Sequence, residues 1–408
     1  MNSSSNNFPQ SETLFRIGII LPIDKQKEIE LSFSDPNCYI IESENKHFLF
    51  SETPGSFVSS IKDGNFTIKK TSSDFEEHGI TVHHVPAGRG FHWKKLINVT
   101  LPGNIEIRKS GDSLIVINII SLEQYLACVA VSEMNAKCPS SFLEAQMITA
   151  RSWVLANRGK KHPKLTIDVC NDDCCQRYQG IAGLSEHAKS ASHKSAGKIL
   201  TVGDSICDAR YSKSCGGISE IGSNVWPNEP ILEYLESVVD GSPSYCGPDF
   251  IPEFKLQRYL GNVDENHSYF KWDYEISQEE LIAQVNELYR LNISAVIGLE
   301  KERRGPSGRI LSCSLVCLDS NNKQQHHILE TEYEIRQTLS PTFLYSSAFK
   351  MKPNRISNGV PGSFSLKGKG WGHGAGMCQI GALGMTLSGK SSDEILKHYF
   401  PRAKLKTL

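Results

Sequence analysis

The chain has 408 residues, 39% of them hydrophobic, with a mean hydropathy of −0.31, which excludes a disordered or fibrous chain and a single small domain. Lys and Arg number 44 against 45 Asp and Glu, a net charge of −1, so there is no global positive field to gather phosphate backbones, which argues against nucleic acid as a partner. At roughly 100 to 200 residues per domain the length predicts two to three structural units, one of them inserted into another.

The N-terminus shows no basic region, and its apolar run 17–21 stops at Pro22, too short for a signal peptide. No window approaches the roughly 18 apolar residues of a transmembrane helix. Residues 1–90 are expected to be a β-rich region of unassigned role, with short runs such as Phe48-Leu49-Phe50 and Phe66-Thr67-Ile68 between Gly and Pro. Strands continue through Ile105-Glu106-Ile107; Ser110-Gly111-Asp112 reads as a hairpin turn and the β-branched run Leu114 to Ile120 as a buried strand.

Apolar residues from Leu122 to Met134 recur at helical spacing and stop before Lys137-Cys138-Pro139, placing Glu133 at a helix end. A second helix is predicted from Ser141, with Ser141 and Glu144 as a capping box, up to Gly159. Residues 160–180 read as a polar, Cys-rich loop. Residues 252–350 read as an inserted α/β subdomain, with a capping box from Ser277 to Glu280 and strands from Val296 and Ile310. The fold class is therefore α+β, mixed helices and antiparallel strands, with a core in two parts, 91–251 and 351–408, around a smaller insertion.

Three features carry chemistry. Glu133 follows an apolar helix, where partial desolvation would raise its pKa as a general acid requires, although position alone does not separate it from a solvated glutamate. The run Lys367 to Ala382 contains six glycines alternating with Lys, Trp and His. Glycine lets backbone approach a bulky ligand while Trp371 and His373 supply stacking and hydrogen bonding to a sugar ring; the plainer alternative is a bend with Trp371 in the core. His162, Cys170, Cys174 and Cys175 fall within fourteen positions, a donor set for a tetrahedral zinc, for disulfides, or for free thiols. Cys215 and Cys246 are either a disulfide pair or buried free thiols.

These residues resemble the stage II sporulation protein D family, the SpoIID/LytB domain of bacterial peptidoglycan enzymes, over about residues 91–401. The resemblance rests on Leu122-Glu123-Gln124-Tyr125-Leu126 leading to Ser132-Glu133-Met134, on Glu144-Ala145-Gln146 with Ala150-Arg151, and on Cys175-Gln176-Arg177-Tyr178-Gln179-Gly180. It continues through Ala209-Arg210-Tyr211, Ser214-Cys215-Gly216-Gly217, Ser307-Gly308-Arg309, Gly370-Trp371-Gly372-His373-Gly374 and His398-Tyr399-Phe400-Pro401. It implies a lytic transglycosylase that cuts between N-acetylmuramic acid and N-acetylglucosamine in peptide-stripped glycan, with Glu133 as catalyst. A closed structural zinc on His162, Cys170, Cys174 and Cys175 would pin the loop carrying Gln176 and Tyr178. Glycan contacts are expected from Tyr211, Ser212, Ser214, Trp371 and His373, with Arg151 and Gln176 in support.

The resemblance also implies peptidoglycan glycan strands as partner, a cell-envelope or periplasmic location, and a working relation with an N-acetylmuramoyl-L-alanine amidase. A noncatalytic amidase activator or glycan-binding protein of the same family is the alternative function, and a zinc-stabilised interaction protein a third. Three departures stand out: Asn135 where proline is common, Cys174 where zinc-binding members carry His, and Ser212 where His is frequent after the tyrosine.

Overall fold

The computed structural model describes residues 14–43, 56–60, 62, 64–71, 78–91, 94–261, 264 and 267–408. The expected run Phe48-Leu49-Phe50 lies outside these. Among the described residues the fold is α+β, with antiparallel pairing dominating its sheets.

A six-stranded sheet runs in the order Val169–Cys170, Leu14–Ile20, Ser113–Ser121, Asn104–Ser110, Phe66–Lys70, Tyr39–Ser43. A four-stranded sheet orders Ser56–Ser60, Glu28–Phe33, Ile80–Ala87 and Lys95–Leu101. Strands from both sides of residue 90 pair within these sheets and share one core. The region expected as 1–90 is therefore continuous, where described, with the strands that follow it. The buried run from Leu114 and the hairpin at Gly111, which has φ +60°, form as the sequence predicts.

Helix α1, Leu122–Glu133, starts at a capping box between Ser121 and Gln124. It is buried almost all round, as its continuous apolar and small residues require. Leu122, Tyr125, Leu126, Cys128 and Val129 join the core of the sheets. Ala127, Ala130, Val131 and Met134 join a second core with helix α2, Ser140–Asn157. Helix α2 does not use the predicted Ser141–Glu144 box: Pro139 occupies the N-cap without a side-chain cap, and Glu144 instead accepts a hydrogen bond from Ser392 of a C-terminal helix. Proline fixes the φ needed at a helix entrance, so the helix begins one residue early.

The inserted unit has its own core, from Trp272 to Leu366. Its limits differ from the expected 252–350, because Lys271–Ser277 pairs along its full length with Ser363–Lys369. The chain therefore enters the unit at about residue 271 and leaves it at about 369. It passes directly into the glycine run, whose far end, Met377–Cys378, lies parallel to Tyr211–Ser212. That short pairing joins the two parts of the core beside the end of α1.

Candidate functional site

A cleft of about 650 Å3 opens where the end of α1, the Cys-rich loop, the glycine run and the inserted unit meet. Its lining includes Glu133, Asp173, Arg177, Tyr211, Ser212, Lys213, Trp226, Asp264, Trp371, His373 and Gln379, and its size is that of a ligand-binding cleft.

Glu133 sits on the floor, only 7% exposed. Its Oε1 accepts hydrogen bonds from the Arg177 amide at 3.0 Å and the Tyr211 hydroxyl at 2.9 Å, and its Oε2 accepts from the Gln379 side-chain amide at 3.3 Å. All three donors are uncharged. Burial, with the Glu133 carboxyl adding to it, lifts the Tyr211 phenol well above its ordinary range, so Tyr211 keeps its proton. Lys213 holds the backbone instead: its Nζ donates to the Glu133 carbonyl at 2.8 Å, placing a cation at the C-terminus of α1, where the helix dipole favours one.

The charged groups nearby are paired with one another. Asp264 accepts Lys213 Nζ and Arg177 Nη1, each at 2.8 Å. Against the burial that would raise it, these two cations hold the Asp264 carboxyl down at about 2. Burial pushes Asp173 up to about 7, with the Arg177 guanidinium pulling the other way. Arg177 stands inside the Cys175–Gly180 motif without a role of its own in the sequence, and nothing local marks Asp173, Lys213 or Asp264, because the group converges from the Cys-rich loop and two distant segments.

The turn after α1 explains Asn135. Its backbone N–H donates to the Tyr259 carbonyl at 2.9 Å, a bond proline cannot make, and its Oδ1 accepts the Lys137 amide at 3.0 Å. The side chain thus closes an Asx turn in place of a fixed ring.

In the glycine run, Gly370, Gly372, Gly374 and Gly376 have φ of +75°, +88°, +75° and +73°, so every second residue is left-handed, which explains the alternation. A Cβ at Gly376 would strike the Arg210 carbonyl, and one at Gly374 the Arg309 guanidinium. The close approach is therefore to the protein's own chain, a correction to the expectation that these glycines admit a ligand. The run nevertheless delivers two side chains to the cleft. Trp371 stacks on Tyr345, with centroids 4.2 Å apart, and is flanked by Tyr269 at 4.7 Å. His373 packs against Trp226 at 4.8 Å, and its Nδ1 accepts the Ala375 amide. Burial, helped by Arg210, Arg309 and Arg336, pushes His373 down to about 3, so it is neutral near pH 7. Trp226 was missed in the sequence, where a lone Trp before Pro227 carries no distinctive spacing.

Tyr211, Ser212, Trp371 and His373 thus share the cleft with Glu133. Three other expected contacts lie elsewhere. Arg151 is fully buried and grips Glu123 through two nitrogens, at 3.0 and 2.5 Å, with a third donating to the Lys198 carbonyl. Gln176 is buried between Tyr125 and the Ala150 carbonyl. This fixes the loop so that the Arg177 amide reaches Glu133; Gln176 is a positioning residue. Ser214 is fully buried, exchanging backbone hydrogen bonds with Trp371.

The loop before Gln176 gathers His162, Cys170, Cys174 and Cys175, their ligand atoms all within 4.8 Å of one another. Cys174 Sγ lies 3.1 Å from Cys170 Sγ and 3.8 Å from His162 Nε2, and Cys175 Sγ is 3.4 Å from the same nitrogen. The sulfur pair is too far apart for a disulfide of about 2.05 Å. The nitrogen distances bracket the roughly 3.5 Å edge of a tetrahedron with zinc-like bond lengths. The donor set fits a closed four-ligand cation site.

Comparison with known proteins places these features in context. Residues 110–202 match the family described as Stage II sporulation protein, and residues 220–376 a domain of unknown function (DUF8618). An uncharacterized protein of Brachyspira hyodysenteriae is 28% identical over 302 residues, 73% of this chain and 70% of that protein. The Stage II sporulation protein D of Bacillus subtilis is 24% identical over 349 residues, 81% of this chain and 86% of the relative. The Amidase enhancer of the same organism is 24% identical over 289 residues, 68% of this chain but 39% of the relative.

Proposed function

This chain belongs to the stage II sporulation protein D family, and from that premise and the geometry of its cleft we propose that it is a peptidoglycan lytic transglycosylase. The observation that carries this reading is Glu133: a nearly buried carboxyl, in no ion pair among the described residues, opening on a cleft that also presents Trp371 and Trp226.

Hydrolytic glycosidases ordinarily use two carboxyl groups, because water must be activated or a sugar attacked. A transglycosylase needs one. Protonated Glu133 gives its proton to the oxygen between N-acetylmuramic acid and N-acetylglucosamine, and the bond from that oxygen to muramic C1 breaks. The carboxylate then takes the proton of the muramic C6 hydroxyl as its oxygen bonds to C1, leaving a 1,6-anhydro end and Glu133 protonated again. Tyr211 suits both states, since a hydroxyl donates to a carboxylate and accepts from a carboxylic acid. The tethered nucleophile supplies proximity without a bound water.

The His162, Cys170, Cys174, Cys175 set would hold a zinc as a structural ion, securing the loop that carries Gln176 and the Arg177 amide. The envelope is the proposed location, since the glycan lies there; among the described residues no helix is long and apolar enough to cross a membrane. The relative named Amidase enhancer supports a second reading, in which the chain presents glycan to an amidase. Incubating the purified chain with peptide-stripped glycan separates them. Anhydro-ended fragments in the mass spectrum support the first. Intact glycan, with a faster amidase when the chain is added, supports the second.

A further inference from the structure

Beneath the cleft lies a second cluster, independent of the first. Cys215, Cys378 and the loop carrying Asp240 and Cys246 are three separate stretches of chain; all four residues are buried, and their ligand atoms lie within 4.8 Å of one another. We propose that they form a second closed cation site, taking a divalent ion of the zinc class through three thiolates and one carboxylate.

The sulfur geometry supports a metal over a disulfide. Cys215 Sγ and Cys246 Sγ are 3.7 Å apart. A disulfide needs about 2.05 Å, whereas two thiolates on one tetrahedral zinc, at about 2.3 Å each, stand about 3.8 Å apart. The donors around the cluster suit anionic ligands. Cys378 Sγ accepts the Cys215 amide at 3.2 Å and the Gly381 amide at 3.3 Å, the latter from the first turn of the helix Gln379–Leu387. Asp240 accepts the Cys246 amide at 2.7 Å and the Tyr399 hydroxyl. Such contacts orient metal ligands and spread their charge.

Charge balance provides an independent observation. Arg309 is fully buried, yet it donates to the carbonyls of Cys215 at 3.2 Å and Gly372 at 3.1 Å and forms no ion pair among the described residues; its Nε has no hydrogen-bond partner. The buried carboxylates of Glu332 and Glu220 favour its charge without pairing with it, and so do the Cys215 and Cys378 sulfurs; a buried cation gains further from negative charge held close by. A divalent ion held by three thiolates and a carboxylate carries net negative charge beside it; with neutral thiols or a disulfide, only the Asp240 carboxyl is left to supply any. The ion would also be anchored next to Gln379, which donates to Glu133, linking this site to the cleft floor without touching substrate.

The test reads metal, not glycan cleavage, so it stands apart from the transglycosylase reading. The full chain is produced with Zn2+ supplied, and bound zinc is counted by elemental and native mass spectrometry beside Cys246→Ser, Cys378→Ser and Cys174→Ser. The expected result is that Cys246→Ser and Cys378→Ser each lose one equivalent per chain relative to the parent, while Cys174→Ser retains that equivalent. Co2+ bound to the Cys174→Ser chain should show thiolate charge-transfer absorption. Unchanged metal in Cys246→Ser and Cys378→Ser overturns the proposal, as does recovery of a peptide joining Cys215 to Cys246 from the unreduced parent. If those two variants do not fold, the Cys174→Ser chain decides: one retained zinc with the cobalt signature supports the site, and a metal-free chain refutes it.

Discussion

Two corners of one cleft treat a buried carboxyl in opposite ways. Asp264 is clamped between Lys213 and Arg177 and is held ionised. Glu133, close by, accepts hydrogen bonds among the described residues from a backbone amide, a phenol and a carboxamide. With the cations paired to Asp264, the Glu133 side chain is in no ion pair among the described residues, while Lys213 anchors the Glu133 backbone. One corner holds the architecture, and the other is the one that the proposed mechanism asks to exchange a proton. A buried charge is costly to strip of its partner, so the two corners should respond differently to the same kind of substitution.

The sharpest break comes from amide replacements. Glu133→Gln should lower release of anhydro ends by about 100- to 10,000-fold, the span typical of a general acid–base group, with thermal stability nearly unchanged, because the amide keeps the shape of the side chain. Mass spectrometry of digested glycan and a melting curve check both halves. Asp264→Asn should do the reverse first: it leaves two buried cations short of a partner and should cost about 3 kcal/mol of stability, read by denaturant unfolding.

The acid limb sharpens the same contrast. Asp264 lies near 2 in the folded chain against an ordinary 3.8. The folded value is the lower one, so its stabilisation is fully present above about pH 4 and is lost as pH falls toward 2. Unfolding followed from pH 5 to about 2 should steepen over that window in the parent and flatten in Asp264→Asn.

Smaller effects belong to the aromatic wall. Trp371→Ala should weaken binding of peptide-stripped glycan about 10-fold, taking about 1.5 kcal/mol for a lost aromatic face; calorimetric titration onto Glu133→Gln isolates binding from cleavage. Normal affinity would make the indole a packing element against Tyr345 alone. Ser212→Ala should cost only a few-fold in the same titration, about 1 kcal/mol for one hydroxyl.

What the sequence made legible was local. Helix α1 and the position of Glu133 follow from helical spacing and a stop before Pro139. The insertion was visible through the Ser277 cap, which forms as predicted, but its end was placed near 350 because the pairing of Lys271–Ser277 with Ser363–Lys369 is a long-range contact. Arg151 illustrates the limit: the motif marks the residue, and only the fold shows that Glu123 occupies its guanidinium. The Asp264 corner, and the joining of Asp240 and Cys378 to the expected Cys215 and Cys246 pair, were hidden for the same reason, being assembled from distant segments.

The most direct test of a single-carboxyl mechanism is the origin of the oxygen in the product. Peptide-stripped glycan cleaved by the parent chain in water enriched in heavy oxygen should give fragments one water lighter than hydrolysis products, with no heavy oxygen at the new muramic end. Reducing ends carrying the label would contradict the account, because they would show that water, and not the C6 hydroxyl, attacks the sugar.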